Sequence, residues 1–528
     1  MSPILSRTLA CATALLLAGT ALASAQSVLY RGNDTDPATL DHHRTSTVSE
    51  ARILRDLYEG LVTHDAAAGI IPGAAETWEI SEDGLTYTFH LREGALWSNG
   101  DPVTAGDFLF AFRRIMDPAT AAGYASVLFD ILNAEDIATG NTPVEELGVA
   151  TPDDHTLVIT LRNPTPYFLE LLTHQTGKPL HQASVEAHGD QFTRPGNLVT
   201  NGAYMLESFT PNDRIVMQKN PNFWDAENVA IDTINWIPFE DRSACLRRFE
   251  AGEVHICSDV PAEQMAYMQA NLPDQLRIAP YLGTYYLPVK VKVDKLSDPR
   301  VRQAISMVID RDFIADQVWQ GTMLPAYSLV PPGIANYVED APQLPYAGDD
   351  LLDREDAALA LLEEAGVDPA SLTIELRYNS SENNKNTMAA VADMLSNLGI
   401  SATLTEMEGS TYFNYLREDG PFEIVRAGWI GDYNDPQNFL FLNESGVSFN
   451  YPGWSNEDYD ARMRAASETT DLEARAAILA EAERIYLENV PSIPILYYSS
   501  RALVADNVAG YEDNLMDNHA SRWLSLTN

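Results

Sequence analysis

The chain has 528 residues, 76 of them acidic against 34 basic, for a formal net charge of −42 at pH 7. A surface this acidic repels phosphate backbones and anionic lipid headgroups, which argues against nucleic-acid or membrane partners. With 45% hydrophobic and 9% aromatic residues there is ample material for packed cores, but at this length the chain divides into two or three lobes.

The N-terminus reads as an export signal. Arg7 is the only charge before an apolar run from Leu9 to Leu22, and Ala23-Ser24-Ala25 supplies a small-x-small cleavage pattern before Gln26. The run falls short of the roughly 20 residues of a spanning helix. Cys11 lies inside the run rather than just after it, so the reading is a removable signal over 1–25, not a lipid or membrane anchor. Losing Arg7 takes the net charge from −42 to −43. The exported chain keeps Cys245 and Cys257, flanking "LRRFEAGEVHI". In an oxidising compartment such a pair suggests a disulfide; two buried thiols are the alternative.

In chain order, "LTYTFHL" at Leu85–Leu91 alternates aromatic and β-branched residues as a strand does. Thr104 and Asp107 then start a helix running to about Met116. Asp298 caps another helix with Pro299 in its first turn, and Val301, Ala304, Ile305 and Val308 fall on one face. From residue 352 the pattern is regular: helix 352–365 to Gly366, strand "LTIELRY", helix 386–398 to Gly399, strand "ISATLTEM". This alternation predicts a mostly parallel sheet covered by helices. The last long helix, from Asp471 to Asn489, opens with a Thr470/Glu473 capping box and precedes the strand "SIPILYYSSRALV". No repeat or linker marks a boundary, so the lobes are expected to be built from discontinuous segments joined by crossover strands. That suits a clamshell, because several strands can flex together as one hinge.

Motifs for catalysis are missing. The chain holds no G-x-S-x-G and no GxxxxGK, "THQTGKP" lacking the first glycine of the latter. The ten histidines include no H-E-x-x-H, and the adjacent His42 and His43 would point apart in an extended chain. No metal or other cofactor is called for. One stretch stands out, "AGWIGDYNDP" at Ala427–Pro436, which sets two carboxylates beside aromatic rings in a glycine-loosened turn. Read alone, Asp432 either caps the turn before Tyr433-Asn434-Asp435-Pro436 or serves a ligand.

Five blocks in order carry a family resemblance. They are Pro72–Arg114, "GNLVTNGAYML" (Gly196–Leu206), "PYLGTYY" (Pro280–Tyr286), "DPRVRQAISMVIDRD" (Asp298–Asp312) and "VRAGWIGDYNDP" (Val425–Pro436). The chain resembles the periplasmic oligopeptide-binding proteins of ABC importers from about Val28 to its end. The resemblance implies an α/β periplasmic-binding-protein clamshell of the large three-domain type. Domain I takes 26–58, 182–282 and 499–528, domain II takes 59–181, and domain III, the opposite lobe, takes 283–498. It also implies a monomer in the periplasm that holds a short peptide in extended form between the lobes and delivers it to a membrane-embedded ABC permease.

By that resemblance Asp432 grips the α-ammonium of the peptide, because a buried ammonium needs a carboxylate with further hydrogen bonds. Arg426 and Arg417 face the peptide's carboxylate end, where a guanidinium fork suits a carboxylate. Val48, Gly428 and Trp429 make main-chain or wall contacts, and Tyr124, His174 and Tyr498 line the cavity. The plainer readings are that Trp429 and Tyr498 are core aromatics and that the arginines form surface ion pairs. The chain departs from the family at Trp319, Asn384 and Ser410, where well-known members carry a lysine, a histidine and a tryptophan. The need for a free C-terminal carboxylate is therefore open. The cysteine pair found in some members is replaced by Ile430 and Gly283, so Cys245/Cys257 would be a different staple. Competing readings are the same fold binding a murein tripeptide or another amine-bearing solute and, more remotely, a secreted hydrolase.

Overall fold

A computed structural model describes residues 26–527 except 35, 46, 408–411, 413, 414 and 417, without the side chains of 262 and 382. The export segment, Ser410 and Arg417 thus lie outside the described residues. Among the described residues no helix is long and apolar enough to cross a membrane.

The largest sheet has nine strands. Eight run in the order Ala427–Ile430, Leu276–Pro288, Ser492–Val504, Ile256–Cys257, Val28–Asn33, Thr233–Pro238, Arg214–Lys219 and Tyr204–Thr210, and Leu324–Pro325 pairs alongside Ser492–Val504. The expected parallel sheet is only partly present. Parallel pairing is confined here to Val28–Asn33 with its two neighbours, and the remaining pairs are antiparallel. The regular alternation after residue 352 builds only a small parallel sheet, in which Thr373–Asn379 lies between Ser401–Met407 and Ile424–Val425. Parallel strands need a helix-length crossover, and only that stretch supplies them in series. A separate antiparallel sheet of four strands holds Thr86–Leu91.

Two large apolar cores form. The first is continuous from Leu29 through the four-stranded sheet to Trp236, and the second gathers residues from Leu282 to Leu496. The 13-residue strands Leu276–Pro288 and Ser492–Val504 pair with each other and pass from one core region to the other. Their register shifts between Pro280 and Thr284, the irregularity nearest the crossing.

Several local signals recur as read. Thr104 and Asp107 form the box that opens helix Ala105–Met116, and Asp298 accepts from the Arg300 amide at 2.9 Å below Pro299. Others shift. The helix expected at 386 begins at Glu382, capped by Ser381, and Asp471, not Thr470, caps Leu472–Asn489. His42 and His43 lie in a turn closed by the Arg44 amide on the Asp41 carbonyl, so their rings meet edge-on at 4.6 Å rather than pointing apart. Cys245 and Cys257 are joined as a disulfide, in the space left by Gly32, where a Cβ would fall 2.6 Å from the Cys245 sulfur.

Candidate ligand cleft

Strand Ala427–Ile430 lies at the edge of the large sheet, paired on one side only with Gly283–Tyr286 of the crossover strand. The Gly431 amide donates to the Leu282 carbonyl at 2.7 Å. Because antiparallel strands alternate their polar groups, Trp429 and Ala427 turn theirs toward the sheet and Gly428 and Ile430 turn theirs outward. Four residues at about 3.3 Å each give this unpaired edge a span of roughly 13 Å.

Asp432 stands just past the end of that edge, half-buried, and its Oδ2 accepts a hydrogen bond from the Tyr124 hydroxyl. Tyr124 and Asp432 are 308 residues apart. No cation lies within ion-pair distance of Asp432 among the described residues. Burial raises its carboxyl to about pH 6, against the lowering effect of the Tyr124 hydroxyl. The Tyr433–Pro436 turn is not capped by Asp432: it is Asp435 that accepts from the Gln437 amide, at 3.0 Å. Asp435 is otherwise committed, held by Arg475 through two 2.8 Å bonds with exposures of 0% and 1%.

Asp432 lines a cavity of about 110 Å³ with Val48, Arg55, Tyr124, His174, Tyr281 and others. Val48 is 45% exposed, an apolar side chain facing this space rather than a core. His174 meets the Tyr124 ring edge-on at 5.5 Å. Burial, reinforced by the positive Arg55 and Lys178, lowers its imidazole to about pH 3, so it stays neutral. Sequence reasoning missed Arg55, Tyr281 and Asp517. The first was within reach: Val48, Ala51 and Arg55 are spaced as one face of helix Val48–Leu57, and all three line the cavity. Asp517 and Tyr281 carry no local signal, since loop and strand geometry bring them in.

Along the edge strand, Arg426 Nη2 donates to the Tyr498 hydroxyl at 2.6 Å, Nη1 reaches Asn379 at 3.4 Å, and the guanidinium lies 4.8 Å over the Tyr285 ring. Its Nε is buried with no hydrogen-bond partner, and it has no carboxylate among the described residues. At Gly428 a Cβ would fall 2.5 Å from the Tyr498 hydroxyl and 3.1 Å from Arg426 Nη2, so any larger residue would have to push these two groups aside. Trp429 donates to Asn438 at 3.0 Å and packs edge-on against Phe441 and Phe449. Trp429 and Tyr498 therefore both pack on the second core, half-buried, while their strands border the cleft. Trp319 is buried, its indole donating to Thr387 at 3.1 Å, and Asn384 is buried with its amide on Asn379. The structure thus groups Asp432, Tyr124, His174 and Val48 at one end of the edge strand and Arg426, Gly428 and Tyr498 together farther along it. Trp319 lies one ring beyond Tyr285, at a centroid distance of 6.0 Å.

No group of three or more His, Cys, Asp or Glu side chains placed to hold a metal ion occurs among the described residues. The arrangement offers a buried carboxylate without a cation, an unpaired strand edge and a guanidinium without a carboxylate. These are groups for holding an extended, charged-ended molecule.

Comparison with known proteins gives the same direction. The family model "Bacterial extracellular solute-binding proteins, family 5 Middle" matches residues 69–451. The periplasmic oligopeptide-binding protein OppA of Salmonella typhimurium is 37% identical over 501 residues, 94% of this chain and 91% of that one. The Escherichia coli YgiS, a "Probable deoxycholate-binding periplasmic protein", is 36% identical over 493 residues, 92% of this chain and 91% of that one. The unliganded open form of MppA, a periplasmic murein tripeptide binding protein, superposes with a TM-score of 0.84 at 34% identity, covering 95% of this chain and 97% of that one. The match runs over nearly the whole length, and the chain belongs to the bacterial extracellular solute-binding proteins, family 5.

Proposed function

We propose that this protein captures short peptides in extended form between two lobes and delivers them to the permease of an ABC importer, acting as a receptor and not as an enzyme. The carrying observation is Asp432, raised to about pH 6 by burial and given one hydroxyl but, among the described residues, no cation. Among relatives of similar identity the named cargoes differ, from oligopeptide to deoxycholate, so identity alone does not choose the ligand. A buried carboxylate waiting for a partner selects a primary ammonium, and the open strand edge beside it selects a main chain that can add a strand. A murein tripeptide or another amine would use the same Asp432, with less of the edge.

Arg426, with Arg417, meets the carboxylate of short ligands in this reading, while Val48, His174, Trp429 and Tyr498 form walls. The division into 26–58 with 182–282 and 499–528, then 59–181, then 283–498 places the first two domains in one lobe and the third opposite, with the paired 13-residue strands as hinge. Tyr124 and Asp432 then belong to opposite lobes, and a ligand that contacts both favours the closed form. Segment 1–25 directs export to the periplasm, where the monomer works unanchored. The test is calorimetry with a good peptide before and after acetylation of its first residue. Acetylation should lower affinity by two or more decades, and unchanged binding would refute the reading; unaltered peptide after incubation separates receptor from hydrolase.

A further inference from the structure

The residue after Asp432 also reaches across the molecule. Phe439 and Leu440, a few positions on, are buried in the second core, yet the Tyr433 ring packs against the first. There it stacks on Tyr167, with ring centroids 5.0 Å apart and planes 8° from parallel. The Arg475 guanidinium lies 5.2 Å from the centroid of the same Tyr167 ring. Arg475 stands on helix Leu472–Asn489, whose Leu479 and Ala482 are buried in the second core. One first-core ring thus carries two groups from the other side. The seam continues beside it, since at Gly84 a Cβ would fall 3.2 Å from Thr470 Cγ2 and 3.3 Å from Pro164 Cβ. Neither Tyr167 nor Tyr433 lines the Asp432 cavity.

Both halves of the contact are firmly mounted. Tyr167 opens helix Phe168–Thr173, its carbonyl accepting from the Glu170 amide at 2.9 Å, and Phe168 beside it is buried edge-on against Tyr87. The Tyr433 carbonyl accepts from the Asp435 amide at 3.0 Å and from Asn438 Nδ2 at 2.8 Å, and its hydroxyl donates to Gln437. Arg475 is fixed by its two bonds to Asp435. Stacked rings and a cation over a ring attract only at contact distance, so parting the lobes breaks both interactions at once. Asp432 and Tyr433 are consecutive, and each touches a different tyrosine of the segment 59–181, Tyr124 and Tyr167.

We propose that Tyr167 is a positioning residue for binding, a latch that holds the lobes together through Tyr433 and Arg475 and so keeps Asp432 over the cleft, without itself touching the ligand. This rests on the peptide reading and on the lobe division that goes with it. A latch of this kind favours the closed form whatever side chains the ligand carries. Its loss therefore lowers the affinity of every ligand by one common factor, because a smaller share of the protein is competent to hold it. Asp432 differs in kind, since it distinguishes ligands with an ammonium from those without.

The test uses the full exported protein and two free-amine peptides of unrelated side chains, with dissociation rates measured beside affinities. Tyr167→Ala should weaken both peptides fivefold or more, by factors that agree within twofold, and the loss should lie mainly in faster dissociation. Tyr167→Phe keeps the ring and should bind within twofold of the parent. Tyr433→Ala, on the other lobe, should reproduce the loss, and it tests the same contact if Tyr167→Ala does not fold. The double variant should be no more than twofold weaker than the weaker single one, the mark of a shared interaction. Unchanged affinity in either alanine variant, a loss confined to one peptide, losses that multiply in the double variant, or a Tyr167→Phe as weak as Tyr167→Ala overturns the proposal. N-acetylation of the peptides, measured on the parent protein, tests the Asp432 reading separately, so the two can fail independently.

Discussion

Asp432 and Asp435 are three residues apart in one turn, yet the fold puts them in opposite settings. Asp435 is sealed at 0% exposure against Arg475, with Asn336 Nδ2 and the Gln437 amide as further donors. Arg475 in turn lies 5.2 Å over the Tyr167 ring, which stacks on Tyr433 at 5.0 Å. Both carboxylate oxygens of Asp435 are met inside the protein. Asp432 has the Tyr124 hydroxyl and a cavity. A carboxylate whose partners are all internal is scaffold, and Asp432, with no cation in reach among the described residues, is the one our reading gives to a ligand.

That contrast predicts four separable outcomes. Asp435→Ala strands a buried guanidinium, and its unfolding free energy should fall by about 3–5 kcal/mol; a loss under 1 kcal/mol in denaturant titration would mean the pair is not structural. Asp432→Ala should reverse the pattern, losing free-amine peptides by roughly two to four decades while the empty protein unfolds at an unchanged or higher temperature. Equal affinity in that variant would erase the distinction between the two aspartates.

A third outcome concerns pH. The empty folded protein holds the Asp432 proton more tightly than the unfolded chain does, its carboxyl being raised from 3.8 to about 6. Its burial therefore costs stability above pH 6, and that cost is lost as pH falls through 6 toward 3.8. Binding runs the other way, since an ammonium pairs only with the carboxylate. Affinity should decline about tenfold per pH unit below 6, and a flat profile from pH 7 to 5 would contradict the assignment. Smallest is Gly428→Ala, whose methyl would displace Tyr498 from Arg426. Affinity for a short peptide acid should fall about tenfold, the worth of one charge-assisted hydrogen bond, with the Asp432 pH profile retained.

Much of this was legible beforehand, unevenly. Thr104, Asp298 and the long C-terminal helix could be read because caps and 3.6-residue periodicity depend on neighbours a few positions away. Asp432 was singled out by its aromatic, glycine-rich setting and then by resemblance, but the residues alone left open whether it capped the turn or served a ligand. The mostly parallel sheet was misread, because alternation after residue 352 describes only the local unit and the large sheet pairs strands hundreds of positions apart. Arg55 was recoverable from helical spacing beyond Val48; Tyr281 and Asp517 were not.

On its own the sequence determined several of the helix caps, the helix–strand rhythm of the last third and the family, since each lies in adjacent residues or in ordered blocks. Only the tertiary structure decided which aspartate is paired and which is open. Arg475 reaches Asp435 across 40 positions and Tyr124 reaches Asp432 across 308. Pairing, burial and the pKa that follows are properties of whatever packs around a charge, and the packing is settled only when distant segments meet.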